Sequence, residues 1–414
     1  MRAYVPCRSD IHGGEAMTRM FLSGNEAFAH GVRLSRPAVI SAYPITPQTT
    51  VVEALSSMVA DGILESDFVH VESEHSALSC AMGASATGVR TFTATSSQGL
   101  LYMAECLPYA AGGRFPIVMM NANRSVALPW NIYGDQRDSL MLLDSGWIQA
   151  YVQDGQESVD MAMMAYRIAE DPSVSTPFMA NLDGFHLTHT YETVDVPDQE
   201  AADRFLPPYE TENRIDFDHP RNLCFSAGPE FNSRFKEGEH RAMMRAARAV
   251  SEAEDEFEEV FGRRYSGLVD PYMCDDADYI IITLGSVSGL CRDVADSLRR
   301  EGVKAGVLRI RYMRPFPSEE IVSILDGCRS AGVLEKDISF GATGAVYRDV
   351  CTALFSGRVM IPVCGRIGGL GGADISASDI RAVFRDIIEG KCDTEFMGGE
   401  SRWHRRRYRT RSSS

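Results

Sequence analysis

Val39-Ile40-Ser41-Ala42-Tyr43-Pro44-Ile45-Thr46-Pro47 opens on a short apolar run and closes on two prolines around one threonine. The run predicts a strand over 39–43. The prolines stiffen the turn after it, because the pyrrolidine ring fixes φ, and 50–61 then has the spacing of an amphipathic helix. The same unit recurs outward. Strands are predicted at 68–71, 91–95 and 116–120, with helices at 75–86 and 99–111 between them. After a long polar loop (122–145) come strands at 147–152 and 177–181 flanking a helix at 156–169. Strand–helix alternation of this kind predicts an α/β domain, a parallel sheet with helices on both faces. In such sheets ligands bind past the strand C-termini. Tyr43–Pro47, Glu72–His75, Thr95–Gly99 and Asn121–Arg124 are therefore expected along one rim.

From 190 to 275 prolines, acidic residues and short helical patterns dominate, with a charged helix around 241–261. This stretch reads as a connecting segment that packs across domains. Alternation resumes with strands at 278–284, 304–310, 332–335 and 359–363 and helices at 288–301, 318–325, 345–354 and 376–389, a second and smaller α/β domain.

Composition narrows the function. A net charge of −16 over 414 residues argues against nucleic acid as a partner of the body of the protein. The exception is Arg402-Trp403-His404-Arg405-Arg406-Arg407-Tyr408-Arg409, readable as a docking tail or as a solvated terminus. No apolar run reaches the length of a membrane span, and the opening residues lack the apolar core of a secretory signal. Patterned sequence begins near Phe21, so Met17 and Met20 stand beside Met1 as candidate starts. The ten cysteines are scattered with no C-x-x-C pair. That pattern fits free thiols in a reducing cytoplasm, and it leaves any zinc or iron–sulfur site to another chain.

Each rim residue has two readings. Thr46 either presents its hydroxyl and backbone rigidly to a ligand or caps a helix start. Glu74 is either a carboxylate favoured by a helix dipole or a carboxyl at the sheet edge that hydrogen-bonds a ligand. Arg124 either clamps a substrate carboxylate through two parallel hydrogen bonds or forms a surface ion pair with Asp135 or Asp138. Gly365-Arg366-Ile367-Gly368-Gly369-Leu370-Gly371-Gly372 lacks the Lys-Ser/Thr of a phosphate loop and fits a tight backbone turn better. The pairs His70/His75 and His186/His189 lack further metal-ligand spacing.

Taken in chain order, Ala42-Tyr43-Pro44-Ile45-Thr46-Pro47-Gln48-Thr49, Glu72-Ser73-Glu74-His75-Ser76, Ala94-Thr95-Ser96-Ser97-Gln98-Gly99-Leu100, Asn123-Arg124 and Leu182-Asp183-Gly184-Phe185 resemble the alpha subunit of the 2-oxoacid:ferredoxin oxidoreductases, most of all its pyruvate branch. Pro129-Trp130-Asn131-Ile132-Tyr133-Gly134-Asp135-Gln136, Asp144-Ser145-Gly146-Trp147, Leu206-Pro207-Pro208-Tyr209 and Arg311-Tyr312-Met313-Arg314-Pro315-Phe316-Pro317 extend the resemblance over about residues 21 to 395. It implies a pyrimidine-binding domain (21–190), a connecting segment (191–275), a transketolase C-terminal-like domain (276–395) and a basic tail (396–414). The implied reaction is oxidative decarboxylation of a 2-oxoacid with coenzyme A, giving acyl-CoA, CO2 and reduced ferredoxin.

Thiamine diphosphate is the implied cofactor. Glu74 would bond its aminopyrimidine ring, with Tyr43, Pro44, Ser97 and Gln98 beside it, and Thr46 and Arg124 would contact the substrate. The Gly-Asp-Gly motif that holds diphosphate and Mg2+ in this cofactor class is missing from the chain. A beta subunit is therefore expected to carry that half-site, and gamma and ferredoxin-like delta subunits the electron path. Phenylglyoxylate, oxalate and branched-chain acids are the implied alternative substrates. The 2-oxoglutarate branch fits less well, because 125–130 is not glycine-rich. A scaffold subunit without catalysis would be marked by loss of Glu74 or Arg124, and a nucleotide-dependent dehydrogenase by a cleaner phosphate fingerprint early in the chain.

Overall fold

The computed structural model describes residues 17–220, 222–223 and 225–398; the arginine-rich tail lies outside them. Two compact units are present. One comprises the chain up to Asp270 together with Arg311–Pro317, the other Pro271–Ile310 and the chain from Ser318.

The first unit is built on a seven-stranded sheet in the order Tyr312–Arg314, Ile148–Tyr151, Phe178–Asp183, Val118–Asn123, Thr91–Thr95, Val39–Ala42, Asp67–His70. Every pairing is parallel except that of Tyr312–Arg314 with Ile148–Tyr151. The inner strands are buried along their whole length, as expected of a sheet covered on both faces. Helix Gly24–Ser35 starts at a capping box between Ser23 and Glu26 and lies against helix Gly155–Ala169. Gly31 permits that approach: a Cβ there would stand 2.3 Å from the Val159 carbonyl oxygen.

Several elements differ from the sequence expectation for identifiable reasons. The helix expected over 99–111 is two, Ser97–Tyr102 and Cys106–Gly112. Pro108 has no N–H and its ring crowds the carbonyl four residues back, so the chain restarts and takes the proline into a first turn. The polar loop holds a short helix, Arg137–Leu140. Residues 191–270, expected to connect the domains, fold with the first unit. Tyr191–Pro197 pairs antiparallel with Met17–Ser23. Helix Pro229–Phe261 buries Ala242, Ala246, Ala249, Val250, Ala253 and Phe257, the i, i+3/i+4 stripe of a helix packed on one face.

The second unit has a six-stranded sheet in the order Thr394–Phe396, Val363–Ile367, Ser330–Glu335, Tyr279–Leu284, Ala305–Ile310, Val269–Tyr272. Its fourth predicted strand is displaced from 359–363 to Val363–Ile367. Gly365 therefore sits inside a strand, and the glycine-rich turn is made by Gly369, Gly371 and Gly372, all at positive φ. No helix among the described residues is long and apolar enough to cross a membrane.

Candidate active site

Strand Val39–Ala42 has Asp67–His70 on one side and Thr91–Thr95 on the other. The chain leaves Val39–Ala42 toward Asp67–His70 and leaves Thr91–Thr95 in the opposite direction, toward Val118–Asn123, which opens a crevice between the ends of these two neighbouring strands. Two amides fix its near wall. Gln48 Nε2 donates to the Tyr43 carbonyl at 2.8 Å and to the Ala94 carbonyl at 3.0 Å. Asn25 Nδ2 donates to the Pro47 carbonyl and to Thr50 Oγ1, both at 2.7 Å. Held this way, Tyr43, Pro44 and Thr46 are exposed. The helix starts only at Thr49 with Gln48 before it, so Thr46 is not its cap.

Glu74 is the first residue of helix Glu74–Ser85. Ser73 does the capping, its hydroxyl accepting from the Ser76 N–H at 3.2 Å. The Glu74 side chain is thereby released from that task. It is buried, at 8% exposure, yet no described residue hydrogen-bonds its carboxyl. Gly99 makes room for it: a Cβ there would come within 2.6 Å of Glu74 Oε1 and 2.7 Å of Thr95 Oγ1.

Arg124 closes the far wall. It is 4% exposed, so the surface ion-pair alternative does not hold. Its Nη1 donates to the Thr46 carbonyl at 2.8 Å and its Nε to the Asn131 carbonyl at 3.2 Å. The guanidinium also lies over the Trp130 ring, 5.3 Å from its centroid. Burial lowers its pKa, and the nearby Asp138 opposes that. Arg124 and Thr46 are thus in direct contact.

Asp138 is the residue that ties the walls together. It is fully buried. Oδ2 accepts from the Ser97 N–H at 3.0 Å, the Arg124 N–H at 3.1 Å and Asn121 Nδ2 at 3.3 Å. Oδ1 accepts from Asn123 Nδ2 and the Ser139 N–H, both at 2.8 Å. Burial pushes its carboxyl up to about 6, although the donors pull it down. Ser97 is bonded on both sides, its hydroxyl donating to the Ser125 carbonyl at 2.6 Å, and it holds a φ of 52°. Gln98, next along the helix, is half-buried.

The sequence singled out neither Gln48 nor Asn25, and considered Asp138 only as a surface partner. The signal available for it was one acidic residue in a polar loop, whose burial depends on strands far away in the chain.

Near these strand ends several buried polar atoms have no partner among the described residues: Gln48 Oε1, Thr95 Oγ1, Ser96 Oγ and the Oδ1 atoms of Asn121 and Asn123. Unpaired buried acceptors and hydroxyls are costly for stability. The rim is apolar and exposed at Tyr43, Leu128, Trp130 and Tyr133. Among the described residues no group of three or more His, Cys, Asp or Glu side chains is arranged to hold a metal ion.

Comparison with known proteins places the chain in a family. Residues 30–255 match the family model described as pyruvate flavodoxin/ferredoxin oxidoreductase, thiamine diphosphate-binding. Residues 277–380 match pyruvate:ferredoxin oxidoreductase core domain II. Pyruvate synthase subunit PorA of Methanothermobacter thermautotrophicus is 46% identical over 89% of this chain and 95% of its own. The Methanosarcina barkeri protein of the same name is 43% identical over 88% and 91%. Ketoisovalerate oxidoreductase subunit VorA of Pyrococcus abyssi is 40% identical over 90% and 95%. Among solved structures, a 2-oxoglutarate:ferredoxin oxidoreductase from Magnetococcus marinus aligns with TM-score 0.69 over 92% of this chain and 66% of that one, at 19% identity, a likeness of fold.

Proposed function

Because this chain belongs to the pyruvate flavodoxin/ferredoxin oxidoreductase family, we propose that it is the alpha-type subunit of a multi-subunit, coenzyme A-acylating 2-oxoacid:ferredoxin oxidoreductase whose substrate is pyruvate. The observation that carries the reading is the 46% identity to a pyruvate synthase subunit over nearly the full length of both chains. The crevice supports it, since Glu74, Thr46 and Arg124 all belong to its walls.

Thiamine diphosphate, when bound, supplies the electron sink that lets the bond to the substrate carboxylate break. The residues present fit it. Glu74 offers a buried carboxyl that no described residue occupies, where a proton can be held against the pyrimidine ring. Ser97 and Gln98 stand on the helix beside it, and Tyr43 and Pro44 form the exposed edge of the turn. Arg124 orients the substrate carboxylate, and Thr46, whose carbonyl it already holds, lies next to the same anion. Mg2+ and the diphosphate fall to a beta subunit covering the apolar rim at Leu128, Trp130 and Tyr133, and the iron–sulfur clusters to gamma and delta subunits. Ferredoxin is then the electron acceptor.

A branched-chain 2-oxoacid is the second reading, favoured by the ketoisovalerate relative at 40% identity. A substrate panel on the reconstituted complex with a low-potential dye decides between them. Pyruvate is expected to give the highest kcat/KM. Preference for 2-ketoisovalerate supports the second reading, and no activity with any 2-oxoacid rejects both.

A further inference from the structure

We propose that Asp138 is a positioning residue of this site: its carboxylate fixes the backbone at Ser97 and at Arg124 and so aims the Arg124 guanidinium at the substrate carboxylate. The proposal rests on the function given above.

A single carboxylate receives five N–H groups, four of them from two other parts of the fold and one from the next residue. The Ser97 N–H comes from the helix that carries Gly99, the Asn121 and Asn123 amides and the Arg124 N–H from the end of one strand, and the Ser139 N–H from the polar loop. Two of these groups lie next to the candidate chemistry. One is the backbone of Arg124 itself. The other is Ser97, whose φ of 52° is unusual for a residue with a side chain and needs its bonds to hold it. An aspartate without a charged partner in direct contact is a poor choice for stability in so dry a place. An ionised carboxylate, however, is the short side chain that can accept this many donors at once.

Ionisation therefore matters to the geometry. The titratable and charged groups facing Asp138 are Asp135, itself paired with Arg137 at 2.9 Å, and Arg124. Tyr151 stands one group further, on the Ser139 hydroxyl at 2.9 Å. Contacts from the Ser97–Tyr102 helix and the strands are amides and N–H groups. With its carboxyl near 6, Asp138 is ionised at neutral pH and protonates below that. The protonated form turns one acceptor into a donor facing other donors, which releases Ser97 or Arg124.

The test is Asp138→Asn in the reconstituted holoenzyme, with kcat, KM for pyruvate, the pH profile of kcat/KM and thiamine diphosphate affinity measured together. Expected are a rise in KM of about tenfold, weaker thiamine diphosphate binding because Ser97 loses the same anchor, and loss of an acid limb that the wild-type enzyme shows near pH 6. A wild-type KM with the acid limb in place overturns the proposal. So does a variant whose only change is a lower melting temperature. If the variant does not assemble, Asn123→Ala decides. It keeps the carboxylate but removes a donor, so the acid limb is expected to move to higher pH, and an unmoved limb overturns the proposal. A wild-type complex inactive on every 2-oxoacid overturns the parent function as well. An active wild type with an unaltered variant overturns only the role of Asp138.

Discussion

Glu74 is a carboxyl placed where burial would normally demand a partner, and Gly99 is the reason it can be there. A methyl group on Gly99 would meet the carboxyl oxygen and the Thr95 hydroxyl at about bonding-contact range. Gly99→Ala is therefore expected to lower kcat at least tenfold while the melting temperature falls only a few degrees, since the helix itself favours alanine over glycine. Steady-state kinetics and calorimetry on the same preparation check this. Arg124 presents a planar fork against two carbonyls and an indole face, and lysine cannot reproduce that fork. Arg124→Lys is expected to raise KM for the 2-oxoacid by roughly 10- to 100-fold, as loss of a bidentate contact would. An unchanged KM would remove Arg124 from the substrate's contacts. These two residues were legible in the sequence because each follows or opens an element at the sheet edge. Asp138, Gln48 and Asn25 were not. Their importance comes from which N–H groups and carbonyls surround them after folding, and nothing in residue type or spacing announces that.

At the scale of elements, periodicity located six of the seven strands of the first sheet and four of the six of the second to within a few residues, since parallel strands buried on both faces leave apolar runs; the edge strands Val269–Tyr272 and Thr394–Phe396 were not foreseen. It failed where a local event competes with the pattern, as Pro108 does in dividing one helix into two. It failed also where pairing is distant. The three-residue strand Tyr312–Arg314 has no pattern of its own, and its place in the first sheet is set by Arg311. That arginine is fully buried; it bonds Glu157 at 3.0 Å, Glu254, and the Gly267 carbonyl at 2.5 Å. Breaking a buried ion pair by removing one partner strands the other charges. Arg311→Ala is expected to destabilise the chain by about 3–5 kcal/mol, with the loss visible in denaturant midpoint. A loss below about 1 kcal/mol would mean that the carboxylates re-solvate and that the strand is held by other contacts.

On the proposed function the whole molecule presents half of a site. The walls of a sheet-edge crevice carry a buried carboxyl and a buried guanidinium beside an exposed apolar rim, and the sequence lacks the Gly-Asp-Gly motif for diphosphate and Mg2+. A second subunit is the natural complement. The most direct test is Glu74→Gln in the complex reconstituted with that subunit, read as pyruvate-dependent reduction of a low-potential acceptor beside the melting curve and the state of assembly. Glutamine keeps the shape and removes the ionisable proton. The account predicts a normally assembled complex whose turnover falls by roughly 100- to 10,000-fold. An assembled variant with near-normal turnover would contradict it.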